Sequence, residues 1–120
     1  MKPENPVLEI YQKSGRNCLK FTFSGILEEQ DARHAITRWK HEFRSKPDEK
    51  FILIWECLNM KGYDSQSRIA WQNALKEMKS QIDTIWLIAS LKLIKVGAQI
   101  MSVFTSLNIK VVDSEDQIYN

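Results

Sequence analysis

Residues 51–56 read Phe-Ile-Leu-Ile-Trp-Glu, a run of five apolar residues that ends in a carboxylate. A second apolar run, Ile-Trp-Leu-Ile-Ala, occupies residues 85–89. Continuous apolar runs of this length are typical of strands that are covered on both faces, as in the interior of a parallel sheet. The segment between them is long enough for a helix, and strands separated by a helix pair in parallel through a right-handed crossover. The two runs therefore predict the centre of an α/β sheet.

Three segments of the chain place apolar residues at the spacing of an α-helix. In the first, which begins at Glu28 and stops before Pro47, the apolar positions are Ala32, Ile36, Trp39 and Phe43. In the second, which Asp64 or Ser65 can cap, they are Ala70, Ala74, Leu75, Met78 and Ile82. In the third they are Ile94, Gly97, Ile100 or Met101, Phe104 and Leu107.

The two ends of the chain complete the predicted sheet. Val7 to Lys13 alternates between apolar and polar residues, and Cys18 to Ser24 follows after a polar turn, so the two segments predict a β-hairpin that Gly25 ends. Ile109 to Val112 is a last strand, and residues 114–120 start a short terminal helix. The order β-β-α-β-α-β-α-β predicts one α/β domain over residues 1–120. Its sheet is mixed and mostly parallel, with a leading antiparallel hairpin and helices packed against it.

The composition of the 120-residue chain is that of a globular protein with nearly balanced charge. Its 17 basic and 15 acidic residues give a net charge of +2. Binding to a phosphate backbone needs a concentrated basic face, so we predict no nucleic-acid partner. Cys18 and Cys57 lie in apolar runs without a CxxC pair, which indicates buried, reduced thiols. No apolar run approaches the ~20 residues of a membrane span and no signal-peptide core is present, so we expect a cytoplasmic protein.

Three short motifs lie where predicted strands meet helices. They are Gly-Ile-Leu-Glu at residues 25–28, the apolar run that ends in Glu56, and Tyr-Asp-Ser-Gln-Ser at residues 63–67. Together with the order of elements, these motifs resemble the STAS domain, the SpoIIAA-like fold of bacterial anti-sigma factor antagonists. The first is similar to the family's Gly-x-Leu-Asp entry to helix one, and the second to its third strand, which ends in an acidic residue. The third falls where the family has Asp-Ser-Ser-Gly at the start of helix two.

The resemblance implies a non-catalytic regulatory module that binds another protein. In the family, a serine at the start of helix two is phosphorylated by a partner kinase that is also the anti-sigma factor, and the phosphorylated form does not bind. Here Gln66 occupies the usual acceptor position and Ser67 replaces the glycine. Ser65 and Ser67 are therefore the candidate phosphorylation sites. The other interpretation of both serines is that they only cap the helix.

The candidate partner-binding residues lie near the starts of helices two and three. We expect a loop over Met60 to Tyr63, the helix start from Asp64 to Arg68, and the segment from Leu91 to Leu93 to form one surface. Helix three has apolar residues on more than one face, which favours docking of another chain. The candidate residues are Lys61, Tyr63, Asp64, Arg68, Leu91, Lys92 and Leu93. The resemblance implies an anti-sigma kinase or sensor-type partner, and a homo-oligomer is compatible with it.

A second hypothesis is a SpoIIAA-like module that binds a small apolar or lipid-like ligand without a phosphorylation switch. An enzyme is not expected, because no Ser-His-Asp, Cys-His or HExxH arrangement can be assembled. His34 and His41 lie two helical turns apart, about 10 Å, too far to share a metal ion. We therefore expect no metal and no cofactor. Glu56 is expected to be a structural acid whose carboxylate accepts hydrogen bonds.

Overall fold

The bounds of the strands and helices come from a computed structural model that describes residues 4–118. Residues 1–3 of the leader and the last two residues, where the predicted terminal helix ends, lie outside the described residues. The strands are β1 Val7–Lys13, β2 Arg16–Leu27, β3 Phe51–Tyr63, β4 Ile82–Ile88 and β5 Ile109–Val112. The helices are α1 Glu29–Ser45, α2 Ser65–Glu77 and α3 Lys92–Thr105, with 3₁₀ turns at Lys79–Gln81 and Glu115–Ile118. The predicted order of strands and helices is confirmed.

The strands form one sheet in the order β1-β2-β3-β4-β5. β1 pairs with β2 antiparallel, and the remaining neighbours pair in parallel. Each right-handed crossover moves the chain one strand further in the same direction, so α1, α2 and α3 lie on the same face of the sheet. The predicted mixed sheet with a leading hairpin is confirmed, and its helices form one layer.

The face of the sheet that meets the helices contains the hydrophobic core. At its centre the rings of Phe21, Trp39 and Trp71 meet, with centroid separations of 5.5, 5.1 and 5.3 Å. The predicted stripe of α1 is confirmed, because its members are buried, namely Ala32, Ile36, Trp39 and Phe43. In α3 the prediction was wrong at Phe104, which is exposed, whereas Met101 packs against the core.

The opposite face of the sheet meets the C-terminal 3₁₀ turn. Lys20, which alternates with the core residues of β2, donates a hydrogen bond to Glu115 Oε1 at 2.6 Å. Burial alone lowers the pKa of Lys20, but the hydrogen bond to Glu115 and nearby carboxylates outweigh it and raise the pKa above its ordinary value. The ammonium group therefore stays charged and fastens the turn to β2. Ile54, which alternates with the core residues of β3, is also buried on this face.

Two strands extend further than their apolar patterns predict. Gly25 does not end β2: it adopts φ +57° beside a shift in strand register, and β2 continues to Leu27. The predicted loop from Met60 to Tyr63 is instead the end of β3, because the extension of β2 supplies backbone partners as far as the pair Leu27 and Tyr63. Ile82, predicted in helix two, is the first residue of β4.

Candidate protein-binding site

The start of α2 is organised by the carboxylate of Asp64. Its Oδ1 accepts hydrogen bonds from the Ser67 backbone N–H at 2.7 Å and from the Ser67 hydroxyl at 2.6 Å. Its Oδ2 accepts the backbone N–H of Glu29, the first residue of α1, at 3.2 Å. The predicted capping role of Asp64 is confirmed, and it is wider than predicted. One side chain satisfies N–H groups at the starts of two helices.

These hydrogen bonds favour the ionised form of Asp64. The Ser67 hydroxyl, then the Ser67 N–H, and to a smaller extent the Glu29 N–H lower the pKa of Asp64 below its ordinary value of 3.8. At neutral pH the site therefore has a fixed negative charge at the positive ends of two helix dipoles.

The two candidate serines lie in different environments. Ser65, the first residue of α2, is exposed. Ser67 is fully buried, and its hydroxyl lies 3.1 Å from the carbonyl oxygen of Leu27 as well as 2.6 Å from Asp64. The Ser67 hydroxyl thus joins α2 to the end of β2, and a phosphate has no room there. Of the two serines, Ser65 is the one that a kinase can reach in the folded chain.

The predicted partner-binding residues differ in exposure. Tyr63 and Arg68 are half-buried, whereas the remaining members are exposed, namely Lys61, Asp64, Leu91, Lys92 and Leu93. A Cβ atom built on Gly62 would lie 3.9 Å from Leu93 Cδ2 and 3.3 Å from Ile26 Cδ1. Ile26 and Leu93 therefore both lie beside this glycine, and we call the exposed apolar surface that they form the Ile26–Leu93 patch.

Ile26 is a site residue that the sequence analysis missed. The Gly-Ile-Leu-Glu motif predicts that Ile26 lies at the entry to α1, because Gly25 is expected to end β2. The structure places Ile26 in the extension of β2, where its side chain is more than half exposed. The positive φ of Gly25 that keeps β2 going is visible only in the structure, so no local pattern in the sequence marks Ile26.

Tyr63 packs against α3 instead of pointing freely into solvent. A Cβ atom built on Gly97 would lie 3.0 Å from Tyr63 Cζ and closer still to its hydroxyl oxygen. Gly97 therefore leaves a notch in α3 that the tyrosine ring occupies. This contact joins the end of β3 to the middle of α3 and fixes the position of α3 beside the start of α2.

A small apolar cavity lies beside Tyr63, between β3, α2 and α3. Its volume is about 50 Å³, far below the ~300–1,000 Å³ of pockets that hold drug-sized ligands. Cys57 is part of the lining, and burial raises the pKa of its thiol well above the ordinary range, so the thiol is neutral and a poor nucleophile. Trp55 also lines the cavity, and its Nε1 is buried without a hydrogen-bond partner among residues 4–118.

Comparisons with known proteins establish the fold. No family profile and no curated protein sequence matches the chain. An uncharacterised DUF3478-family protein with a SpoIIAA-like fold, from Shewanella loihica PV-4, superposes with a TM-score of 0.78 and 10% identity over 98% of this chain and 93% of that chain. The chain has a SpoIIAA-like fold. The anti-sigma factor antagonist SpoIIAA in its unphosphorylated form gives a TM-score of 0.68 and 10% identity over 94% of each chain.

The resemblance predicted from the motifs is thus confirmed for the fold. At 10% identity, a likeness to solved structures establishes how the SpoIIAA-like domain is folded and nothing beyond that.

Glu56 lies away from this site. Glu56 and Asp64 are eight positions apart, a separation of about 26 Å in an extended strand. Glu56 pairs with Thr22 and Ile88, and its Oε2 is buried without a hydrogen-bond partner in the described part of the chain. The expectation that its carboxylate is held by hydrogen bonds is therefore wrong for this oxygen. The ammonium group of Lys20 is a positive charge close to the Glu56 carboxylate.

The SpoIIAA-like domain shows no cluster of three His, Cys, Asp or Glu side chains that could hold a metal ion within residues 4–118. His34 and His41 are both exposed on α1. Among the described helices the longest is α1, with 17 residues, and none combines the length and apolarity needed to cross a bilayer.

Proposed function

We propose that this SpoIIAA-like domain is a non-catalytic regulatory module that binds another protein through the start of α2. One observation carries the proposal: exposed Ser65 begins a helix that Asp64 holds in place, beside the Ile26–Leu93 patch. The Asp64 N–H donates to the carbonyl oxygen of Leu27 at 3.1 Å, so the start of α2 lies next to the strand end that presents Ile26.

The proposed interface has an apolar part and a basic part. Exposed Leu91 and the Ile26–Leu93 patch supply apolar surface, whereas Lys61, Lys92 and Arg68 supply positive charge. Protein interfaces commonly combine an apolar centre with a polar rim. The basic residues favour a partner with an acidic surface, which complementary charges would orient on approach. An anti-sigma kinase or a sensor protein is the candidate partner.

Phosphorylation of Ser65 is the proposed switch. Free N–H groups and the helix dipole at the start of α2 favour a phosphate at the first helical residue. Arg68 lies three residues further on, on the same side of the helix, and can pair with that phosphate. The phosphate adds bulk and nearly two negative charges in the interface, so partner binding is expected to be lost.

Affinity capture from the native cell lysate tests the proposal with three baits: wild type, Ser65→Asp and Gln66→Asp. Gln66 is the next exposed residue of α2, so Gln66→Asp adds the same charge one position away. We expect wild type and Gln66→Asp to capture the same kinase or sensor protein, and Ser65→Asp to lose most of it. Mass spectrometry of the natively purified chain should find the phosphate on Ser65.

Equal capture by the three baits would contradict the phosphorylation switch and would indicate a module that binds its partner constitutively. Leu93→Lys then tests the interface itself, with Val111→Lys on β5 as a matched control at another exposed apolar position. Unchanged capture by Leu93→Lys would show that the partner binds elsewhere.

The cavity beside Tyr63 favours a second candidate function, binding of a small apolar or lipid-like ligand without a phosphorylation switch. Its lining is almost entirely apolar, which suits an apolar ligand. Because the volume is only about 50 Å³, a lipid-like chain requires that Tyr63 leave the notch at Gly97. Native mass spectrometry decides this function: a stoichiometric small molecule supports it, and the bare protein mass contradicts it.

A further inference from the structure

The outer face of α3 carries an apolar stripe that the other elements within residues 4–118 leave partly exposed. We call this set the α3 stripe; its members are Leu93, Val96, Ile100, Val103 and Phe104, all exposed. Val103 is 79% exposed and Phe104 is 58% exposed. At 3.6 residues per turn, the five positions fall within about 100° of the helix surface. They therefore form one continuous strip along the helix.

α3 is consequently apolar on two faces. Its inner face is buried against the sheet through Ile94, Gly97, Ala98 and Thr105. The polar residues between the two faces cover only about a quarter of the circumference, and they are Lys92, Lys95, Gln99 and Ser102. A helix with so little polar surface is typical of an element that is buried on both sides in a larger assembly.

We propose that the α3 stripe packs against the α3 stripe of a second copy of this chain, which makes a symmetric dimer. Between Val96 and Thr105 the helix has no charged residue, so two identical stripes meet without opposing like charges. Antiparallel packing about Ile100 places the two Lys92 side chains at opposite ends of the contact. The dimer and the proposed function share Leu93, so the dimer is tested at Val103, which lies near the other end of α3.

The exposed area is sufficient for a stable dimer. The α3 stripe offers roughly 500 Å² of apolar surface per copy, in the upper range of the largest apolar patches on monomeric proteins. Homodimer interfaces are about 65% apolar. If a second copy buries the whole stripe, polar surface around it needs to add only about a third of the contact to reach roughly 800 Å² per partner, the size of a standard specific complex.

A membrane surface fits the α3 stripe less well than a second copy does. Helices that lie in the lipid interface carry Lys and Arg along their polar face. In α3 the basic residues are Lys92 and Lys95, both near the start, and the polar strip continues with uncharged Gln99 and Ser102.

Sedimentation velocity between about 1 and 500 µM tests the dimer with wild type, Val103→Lys and Val111→Lys. Both valines are exposed and receive the same chemical change, but Val111 lies on β5, outside the stripe. We expect the mass of wild type and Val111→Lys to rise from 14.1 kDa toward twice that value. For Val103→Lys we expect a dimer Kd at least tenfold higher, with an unchanged circular dichroism spectrum.

Two results overturn the proposal in this experiment. One is a wild type that stays at 14.1 kDa over the whole range, and the other is a Val103→Lys dimer as tight as that of wild type. Flotation with vesicles of phosphatidylcholine and phosphatidylserine adds a third: a monomeric wild type that floats, and a Val103→Glu variant that does not, assign the stripe to a membrane instead.

Discussion

At the residue scale, the candidate site depends on how neighbouring side chains at the start of α2 divide their roles. Asp64 and Ser67 form a set of hydrogen bonds with Leu27 and Glu29 that joins β2, α1 and α2. Ser65 stands outside this set and meets solvent. The buried hydroxyl therefore supports the helix start, whereas the exposed hydroxyl of Ser65 takes no part in these hydrogen bonds.

Asp64→Ala is expected to lower the Tm by roughly 3–6 °C, because N–H groups at two helix starts lose their acceptor. Asp64→Asn retains an acceptor oxygen, so it is expected to lower the Tm by less than Asp64→Ala does. Thermal unfolding at neutral pH, followed by circular dichroism, measures both changes. Equal Tm values for wild type and Asp64→Ala would contradict the double capping role.

Asp64 also makes the stability depend on pH. Hydrogen bonds lower its folded-state pKa below 3.8. Its contribution is therefore complete above that value and is lost as the pH falls through the lower folded pKa. The Tm advantage of wild type over Asp64→Asn should be constant down to about pH 4 and then shrink. Parallel Tm curves at acid pH would show that the carboxylate does not act as an ion in the folded chain.

At the scale of elements, the position of α3 is fixed by the Tyr63 ring, which packs into the notch at Gly97. Gly97 lacks the Cβ atom that would collide with Tyr63, so the end of β3 and the middle of α3 can approach closely. The same contact closes one side of the cavity lined by Trp55 and Cys57. A change in this contact is therefore expected to alter both the stability of α3 and the access to the cavity.

Gly97→Ala is expected to destabilise the folded chain by about 1 kcal/mol. Overpacking against Tyr63 costs ~1–3 kcal/mol, whereas Ala in place of Gly improves helix propensity by ~1 kcal/mol. In a Tyr63→Ala background the ring is absent, so the same substitution should stabilise by ~0.5–1 kcal/mol. Urea unfolding of the four proteins measures the coupling. An identical effect of Gly97→Ala in both backgrounds would mean that the two residues do not touch.

At the scale of the whole molecule, strands that follow each other in sequence are also neighbours in the sheet. A contact between distant parts of the chain is added where the 3₁₀ turn at Glu115 packs against β2. The Lys20–Glu115 ion pair joins residues 95 positions apart. It fixes the C-terminal 3₁₀ turn on the sheet face opposite the helices. The sheet is thereby held by helices on one face and by its own C-terminal segment on the other.

Glu115→Lys is expected to lower the free energy of unfolding by about 1 kcal/mol, because it removes the partner of Lys20 and introduces a like charge. Asp116→Lys makes the same charge change at the next residue, which is exposed, and is expected to alter stability by less than ~0.5 kcal/mol. Urea unfolding at low and high salt measures both variants. Equal losses would indicate that net charge, and not the ion pair, determines the effect.

Much of this architecture could be predicted from local patterns. The apolar runs at residues 51–56 and 85–89, the stripe of α1, and the cap at Asp64 each depend on residues close in sequence, and all were confirmed. The extensions of β2 and β3 could not be predicted in the same way. Gly25 is a strand breaker in its local pattern, and it stays within the strand because β3 supplies backbone partners to the residues beyond it.

The sequence by itself determined the period of each element and hence the order of strands and helices, because hydrogen bonding within a helix or along a strand is a local property. Only the tertiary structure decided which side chains are buried and which stay exposed to solvent. Serine patterning does not distinguish Ser65 from Ser67, and the nearly all-round apolar pattern of α3 does not show whether Met101 or Phe104 faces the sheet. Burial is decided by contacts between residues that are distant in sequence, such as Ser67 with Leu27 and Tyr63 with Gly97.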